Sequence, residues 1–115
     1  MSCFHNSDDL SYLPKLKEAA PTEFAAWVGL DSQVGRKDGA IPHKHRELIA
    51  VACAHITQCV YCLDVHVKAA LGAGASREEI AEAALIAAAL RAGGAGAHAA
   101  LTMKLVDKHS GGADE

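Results

Sequence analysis

Two cysteines and a histidine form the most reactive group of residues in this sequence. Cys59 and Cys62 enclose two residues, and His66 follows Cys62 by four. Only the thiolate form of cysteine is a nucleophile, and the free thiol has a pKa of ~8.5, so such a site needs an activating group. The free N–H groups and the positive dipole end at a helix start favour a thiolate. An imidazole four residues further along the same helix face can take or return the proton.

A carboxylate precedes this group. Glu47 lies twelve residues before Cys59 and is the only acidic residue in that part of the chain. A carboxylate close to a histidine and a thiol can orient the imidazole and accept a proton. The spacing alone does not place Glu47 beside His66, and the neighbouring cations Lys44 and Arg46 offer it surface ion pairs instead.

The C-x-x-C pair permits two other interpretations. Free cysteines often serve as small buried hydrophobes. A metal site with three ligands, Cys59, Cys62 and His66, also agrees with the spacing. His55 cannot be a fourth ligand of the same ion. It lies eleven residues before His66, which is ~16 Å along a helix, whereas zinc–ligand bonds measure only ~2.0–2.3 Å. No second C-x-x-C is present to complete a structural zinc site.

Several other residues have less specific surroundings. His43 and His45 stand in a polar helix start and are expected at the surface. His98 follows a glycine cluster, and it either points into the site from a neighbouring helix or lies on a helix surface or interface. Cys53 falls on the apolar face of its helix, which predicts a core position. Trp27 is expected in the core or at a subunit interface rather than on a substrate.

Composition favours helices and assembly. The 115 residues are enough for one domain, and 50% are apolar while only 4% are aromatic. Alanine supplies most of the apolar share, and it has the highest helix propensity. Small side chains give a thin core, so we expect a single domain over 1–115 with part of its alanine-rich surface buried in a homo-oligomer.

Charge and hydropathy exclude several classes of function. The formal net charge of −3 and the absence of any basic run argue against a nucleic-acid partner. The longest apolar run, Ala83–Leu90, is far shorter than the ~20 residues of a membrane span. The first residues lack the basic and apolar regions of a secretory signal, which predicts a cytosolic protein. In that reducing compartment, four cysteines argue for metal-binding or catalytic chemistry rather than structural disulfides.

The pattern of breaks predicts about five or six helices and no strand. A polar arm is expected over 1–13, with Cys3 incidental, and a tail over 110–115. Prolines should open helices at Pro14, at Pro21 and after Ile41. Whether the third helix is continuous with the one carrying the cysteines cannot be decided from periodicity.

The C-terminal part of the chain should hold two further helices. Ser76 and Glu79 form a capping box, which predicts a helix start. This helix should run to about Arg91 and is apolar nearly all round, as is typical of a buried element. The glycines at 93, 94 and 96 should end it before a last helix that carries Leu101.

The whole pattern resembles the AhpD-like, or carboxymuconolactone decarboxylase, family. The resemblance covers roughly residues 20–105. It depends on the segment 46–49 (Arg-Glu-Leu-Ile), on Cys59-x-x-Cys62-x-x-x-His66, and on the flanking segments 41–42 and 69–74.

The resemblance implies an all-α, AhpD-like fold that assembles into trimers or hexamers, with the C-x-x-C at the start of a central helix. It implies a thiol peroxidase in which Cys62 attacks a hydroperoxide, Cys59 resolves the product, and Glu47 and His66 relay protons. A thiol reductant would restore the pair, and no cofactor, metal or membrane is implied. Tyr61 stands where peroxidase members carry a second histidine, and the family's decarboxylases, which lack the paired cysteines, supply the alternative activity.

Overall fold

The computed structural model describes residues 5–111, and these residues are helical with no strand. A 3₁₀ helix at Ser7–Tyr12 precedes five α-helices. They are α1 (Leu13–Ala19), α2 (Pro21–Asp31), α3 (His43–Thr57), α4 (Val60–Gly72) and α5 (Arg77–Ser110). The predicted all-α class and helix number are confirmed.

The predicted helix starts agree with the structure. Pro14 lies in the first turn of α1, Pro21 is the first residue of α2, and Pro42 caps α3. The capping box at the start of α5 is complete: Ser76 N–H donates to Glu79 Oε1 at 2.8 Å, and Glu79 N–H donates to Ser76 Oγ at 3.0 Å. The prolines mark helix starts because they lack an N–H that the first turn would leave unpaired, and the capping box marks one because it satisfies two such N–H groups.

A left-handed residue separates α3 from α4. Gln58 has φ 57° and ψ 42°, and the N–H of Cys59 donates to Ala54 O at 3.0 Å. The N–H of Gln58 donates to His55 O at 3.3 Å, which completes a Schellman ending. The chain therefore turns sharply just before the first cysteine, a break that periodicity could not decide.

The core lies where α3 meets α4 and the start of α5. Val51, Ala70 and Ala75 are buried and form its centre. Half-buried aliphatic side chains pack around them: Leu48, Leu63, Val67 and Ile80. α3 contacts both α4 and α5 extensively, so the helix that carries Glu47 is the central one, rather than the helix that begins after Cys59.

The glycine cluster does not end a helix, contrary to the prediction. α5 runs unbroken for 34 residues from Arg77 to Ser110, through Gly93, Gly94 and Gly96. Each glycine costs about 1 kcal/mol relative to alanine in a helix, but alanines and leucines surround this cluster and no proline interrupts it. Two predicted helices are therefore one.

The prediction that this C-terminal helix is buried is also wrong for the single chain. Only Ala87 of α5 is buried, and every residue from 88 to 110 is exposed. Among residues 5–111, α5 is the one helix whose length and composition would allow it to cross a membrane. That is weak support for a membrane span, because helices that pack against other helices share this composition. The sequence had suggested only an eight-residue apolar run here.

The expected arm and tail are more ordered than predicted within the described residues. Asn6 caps the 3₁₀ helix through its side chain, and Asp9 Oδ2 accepts from the Asn6 N–H at 2.9 Å. Ser110 belongs to α5 rather than to a tail. Residues 1–4 of the predicted arm, Cys3 included, and residues 112–115 of the predicted tail lie outside the described part of the chain.

Candidate active site

A buried carboxylate on α3 forms the base of the site. Glu47 is only 3% exposed. Its Oε1 lies 2.7 Å from Nδ1 of His66 on α4, and its Oε2 lies 3.5 Å from Nε2 of His43. A buried carboxylate needs such partners, because isolating its charge from water is costly. The surface ion pair that the sequence also allowed is absent from residues 5–111, since Lys44 pairs with Glu79 at 3.0 Å.

His43 is a site residue that the sequence analysis placed at the surface. It precedes Glu47 by four residues, so one helical turn puts the two side chains together. The spacing of four residues could have indicated the contact between His43 and Glu47, but the polar composition of the helix start favoured a surface position. His45, two residues further on, is exposed as expected.

The chain before α3 closes over the carboxylate. A Cβ placed on Gly35 would lie 2.6 Å from Oε2 of Glu47 and 3.6 Å from Nε2 of His43. Real Cβ atoms do not approach oxygen so closely, so only glycine lets the backbone pass here. Glu47 is thus enclosed by two histidines and by a backbone segment.

The two cysteines have different surroundings at the start of α4. Cys59 is the N-cap residue, in an extended conformation, and its Sγ accepts the N–H of Cys62 at 3.1 Å. It therefore takes the place that Ser or Asp holds at most helix starts. Cys62 lies in the first turn, and its side chain lines a cavity that Cys59 does not reach. Both are half-buried free thiols.

The protein raises the pKa of Cys62 to about 11. Burial is the largest cause, followed by the hydrogen bond and charge of Cys59 and by the negative charge of Asp31. The backbone N–H of Cys62 opposes these effects only in part. At neutral pH this side chain is a thiol and requires a base before it can act as a nucleophile.

An apolar cavity of about 420 Å³ joins Cys62 to His66. A volume of this size is typical of small-molecule sites, which are mostly apolar with a few polar groups. The wall is formed by α3, the start of α4 and the loop between α2 and α3, and its remaining residues are Val34, Ile41, Arg46, Ile49, Ala50, Cys53, Ala54 and Thr57.

Cys53 is exposed in this cavity, and its predicted core position is wrong. Its face of α3 is apolar, but within the described chain no other helix covers that face. The remaining candidates lie elsewhere. His98 is exposed on the outer half of α5, and Trp27 is 48% exposed and makes an edge contact with Phe24.

Tyr61 has a partner that the sequence did not suggest. Its hydroxyl donates to Oδ2 of Asp9 at 2.7 Å, which holds the 3₁₀ helix against the start of α4. This hydrogen bond is the main cause that lowers the pKa of Asp9 and raises that of Tyr61. Tyr61 thus makes a structural contact that does not involve Glu47 or His66.

No group of three or more histidine, cysteine, aspartate or glutamate side chains within residues 5–111 is arranged to hold a metal ion. The three-ligand site that the spacing allowed, from Cys59, Cys62 and His66, is therefore not formed in this structure. The Nδ1 atom of His66 is instead engaged by Glu47.

Comparison with known proteins decides the family. The model of the carboxymuconolactone decarboxylase family matches residues 21–104. The chain belongs to this family. The matched region contains Glu47, both cysteines of the C-x-x-C and His66, and it excludes the 3₁₀ helix.

Individual proteins are also similar to this chain. The "uncharacterized protein 4 in cox locus" of Paracoccus denitrificans is 40% identical over 105 residues, which cover 86% of this chain and 95% of that protein. An uncharacterised protein of Cupriavidus necator is 37% identical over 67 residues, 58% of each chain. A crystal structure from Methanobacterium thermoautotrophicum has a TM-score of 0.68 at 33% identity, covering 76% of this chain and 97% of that one.

Proposed function

We propose that this protein is a thiol-dependent peroxidase that cycles between a Cys59–Cys62 dithiol and a disulfide. The observation that carries the proposal is the 2.7 Å contact between Glu47 and His66. His66 is one helical turn from Cys62, and both side chains line the same apolar cavity. A proton acceptor, a thiol and a space for a small substrate therefore adjoin one another.

The relay begins with the tautomer of His66. The Glu47 carboxylate accepts a hydrogen bond, so it favours the proton on Nδ1 and leaves Nε2 as the basic nitrogen. No direct hydrogen bond joins His66 to Cys62 within residues 5–111, so the proton passes through one water. Nε2 of His66 is therefore the base that removes the proton from Cys62, whose thiol has a raised pKa.

The chemical steps follow from this arrangement. The Cys62 thiolate attacks the terminal oxygen of a hydroperoxide, the O–O bond breaks, and the leaving alkoxide takes a proton to become an alcohol. Cys62 is then a sulfenic acid. The Cys59 thiol displaces its hydroxyl as water, and the two sulfurs form a disulfide. A dithiol reductant restores both thiols by exchange and becomes a disulfide itself. A reducing compartment such as the cytoplasm would supply it.

The test is consumption of tert-butyl hydroperoxide in the presence of excess dithiol. Wild type should turn over and Cys62→Ser should be inactive, while Cys59→Ser, treated with one equivalent of peroxide before any dithiol is added, should form a sulfenic acid that cannot close to a disulfide. Mass spectrometry with a sulfenate-specific reagent should locate that adduct on Cys62. Equal peroxide consumption by wild type and Cys62→Ser would contradict the proposal.

A second candidate is a lyase acting on a small carboxylated lactone. The family match and the Glu47–His66 acid–base pair favour it, since neither depends on a thiol. This activity would survive replacement of both cysteines, whereas peroxide consumption would not. The same Cys59→Ser/Cys62→Ser double variant therefore separates the two.

A third candidate is a redox-sensing oligomer without catalytic turnover. It would form the Cys59–Cys62 disulfide once per peroxide but would not be restored by a dithiol at a useful rate. The retained cysteines favour it as much as they favour the peroxidase. Multiple turnovers in the same assay distinguish the enzyme from the sensor.

We also propose that the chain acts as a homo-oligomer, a trimer or hexamer. Its radius of gyration is 20.0 Å, while a compact domain of this length has a radius of about 13 Å. The exposed half of α5 carries leucine, methionine and valine side chains that a second copy would cover. Alanine and glycine between them would let helices approach closely.

A further inference from the structure

Arg46 lies on the wall of the apolar cavity without a charged partner. It is half-buried, and its Nε atom is inaccessible and has no hydrogen-bond partner among residues 5–111. No carboxylate of the described chain forms a salt bridge with it. An unpaired polar group in apolar surroundings is costly, and the cost is larger for a charged one.

Three acidic side chains are engaged by other residues, and Asp31, whose charge acts on Cys62, forms no salt bridge with Arg46. Glu47 is held by two histidines, and Glu79 pairs with Lys44. Asp38 pairs with Arg36 at 3.8 Å on the surface. The guanidinium group of Arg46 therefore remains available for an anion that is not part of the chain.

A second guanidinium group approaches the first. A Cβ placed on Gly39 would lie 2.6 Å from Nη2 of Arg46 and 2.9 Å from Nε of Arg36. The two guanidinium groups thus converge over one glycine, and because Asp38 pairs with Arg36, Arg46 is the one of the two that has no carboxylate partner. A bound carboxylate would neutralise the Arg46 guanidinium group, which matches its two oxygens, although it would not reach the inaccessible Nε atom.

We propose that Arg46 is a specificity-determining residue that binds the carboxylate of an apolar acid hydroperoxide. The apolar body of this substrate fills the cavity and its peroxide reaches Cys62. The peroxide half of this inference rests on the proposed function. The carboxylate takes no part in the chemistry: the Cys62 thiolate becomes a sulfenic acid, the O–O bond breaks, and the alkoxide is protonated, giving a hydroxy acid.

Two matched hydroperoxides test the inference. Cumene hydroperoxide is neutral, and 4-(2-hydroperoxypropan-2-yl)benzoate adds one carboxylate to the same body. Arg46→Gln should raise KM for the acid about 10- to 100-fold more than it raises KM for the neutral compound, as expected for the loss of a charge-assisted hydrogen bond, with the larger change in KM rather than in kcat. Arg46→Lys should restore part of the lost affinity. Arg77→Gln, at an exposed position on α5, is the control and should change neither KM.

Binding without turnover separates this inference from the peroxidase proposal. 4-Isopropylbenzoate has the same body and carboxylate but no peroxide, and calorimetry should show that it binds wild type and not Arg46→Gln. If this binding occurs while neither hydroperoxide is consumed, the peroxidase proposal fails and the anion site stands. If cumene hydroperoxide is consumed but Arg46→Gln leaves KM for the acid unchanged, or alters both substrates equally, the inference about Arg46 is overturned.

Discussion

The α3–α4 hairpin and the outer half of α5 differ in how much of their surface is buried or paired within the single chain. In the hairpin, Glu47, Val51 and Ala70 are buried, and the Glu47 carboxylate has two histidine partners. In α5, residues 88–110 are all exposed although many are apolar. The buried carboxylate of the first region has its partners within the single chain, whereas the second region presents an apolar surface without a cover.

This difference indicates where each region's function resides. The proposed proton relay needs only residues of α3 and α4, so it should persist in any assembly state. Apolar surface stabilises a protein only when it is removed from water. The outer half of α5 therefore contributes little to the stability of the single chain. Variants in the first region should change the chemistry, and variants in the second should change the assembly.

Glu47→Gln should have the largest effect. It keeps the size of the side chain but removes the carboxylate that orients and balances His66. We expect kcat for tert-butyl hydroperoxide to fall by about 10²- to 10⁴-fold, the usual contribution of general acid–base catalysis. Glu82→Gln, on the exposed face of α5, is the matched control and should retain activity. Normal turnover by Glu47→Gln would contradict the proposed proton relay.

The pH dependence of Cys62 should be the next largest effect. Because burial and Cys59 raise the pKa of its thiol to about 11, alkylation of Cys62 by iodoacetamide should still be rising above pH 9. Peptide mapping after brief labelling would measure this site separately from Cys59 and Cys53. A plateau below pH 9 would contradict the raised pKa.

The same shift has a consequence for stability. The folded protein favours the protonated thiol, so this contribution is fully present below the ordinary thiol pKa of 9.0 and is lost as the pH rises towards 11. Wild type should therefore lose more stability than Cys62→Ser between these two pH values in chemical denaturation. Equal losses would show that Cys62 is not the titrating group.

Leu105→Glu should change assembly rather than chemistry. It places a charge in the exposed apolar stretch of α5, where a neighbouring copy would have to bury it. Light scattering should show the mass falling from that of an oligomer towards that of one chain, with the helical circular dichroism retained. Lys108→Glu introduces the same side chain in the polar last turn and should leave the mass unchanged. A monomeric wild type would contradict the proposed assembly.

Two glycine substitutions should give the smallest effects, and with opposite signs. Gly29→Ala lies inside α2 with nothing within 4 Å of the added Cβ, so it should stabilise the chain by about 0.5–1 kcal/mol. Gly35→Ala would push against Glu47 and should destabilise it by about 1–3 kcal/mol and lower turnover. Thermal denaturation measures both. Equal shifts would show that the backbone does not close over the carboxylate as described.

Local signals in the sequence predicted part of this structure well. Pro21, Pro42 and the Ser76–Glu79 capping box gave correct helix starts because each acts within one turn of chain. The prediction that the glycines end a helix was wrong, because helix propensity is a weak preference that neighbouring residues override. The exposure of α5 depends on how the whole chain packs, and the periodicity of the sequence does not describe that packing.

The candidate site was predictable in its residue types but not in its full set of partners. The family pattern suggested Glu47 and His66 together, and the distance between them came only from the fold. His43 was visible at a spacing of four residues yet was interpreted as a surface residue. Arg46 became conspicuous only when the acidic residues around it were found paired with others.

The central claim, that Cys59 and Cys62 are a peroxide-driven redox pair, is tested most directly by one measurement. Reduced protein is mixed with one equivalent of tert-butyl hydroperoxide, and the intact chain and its peptides are analysed by mass spectrometry. We expect the loss of two hydrogens and a single Cys59–Cys62 disulfide, with Cys53 still a thiol. Unchanged thiols at Cys59 and Cys62 after the peroxide has been added would contradict it.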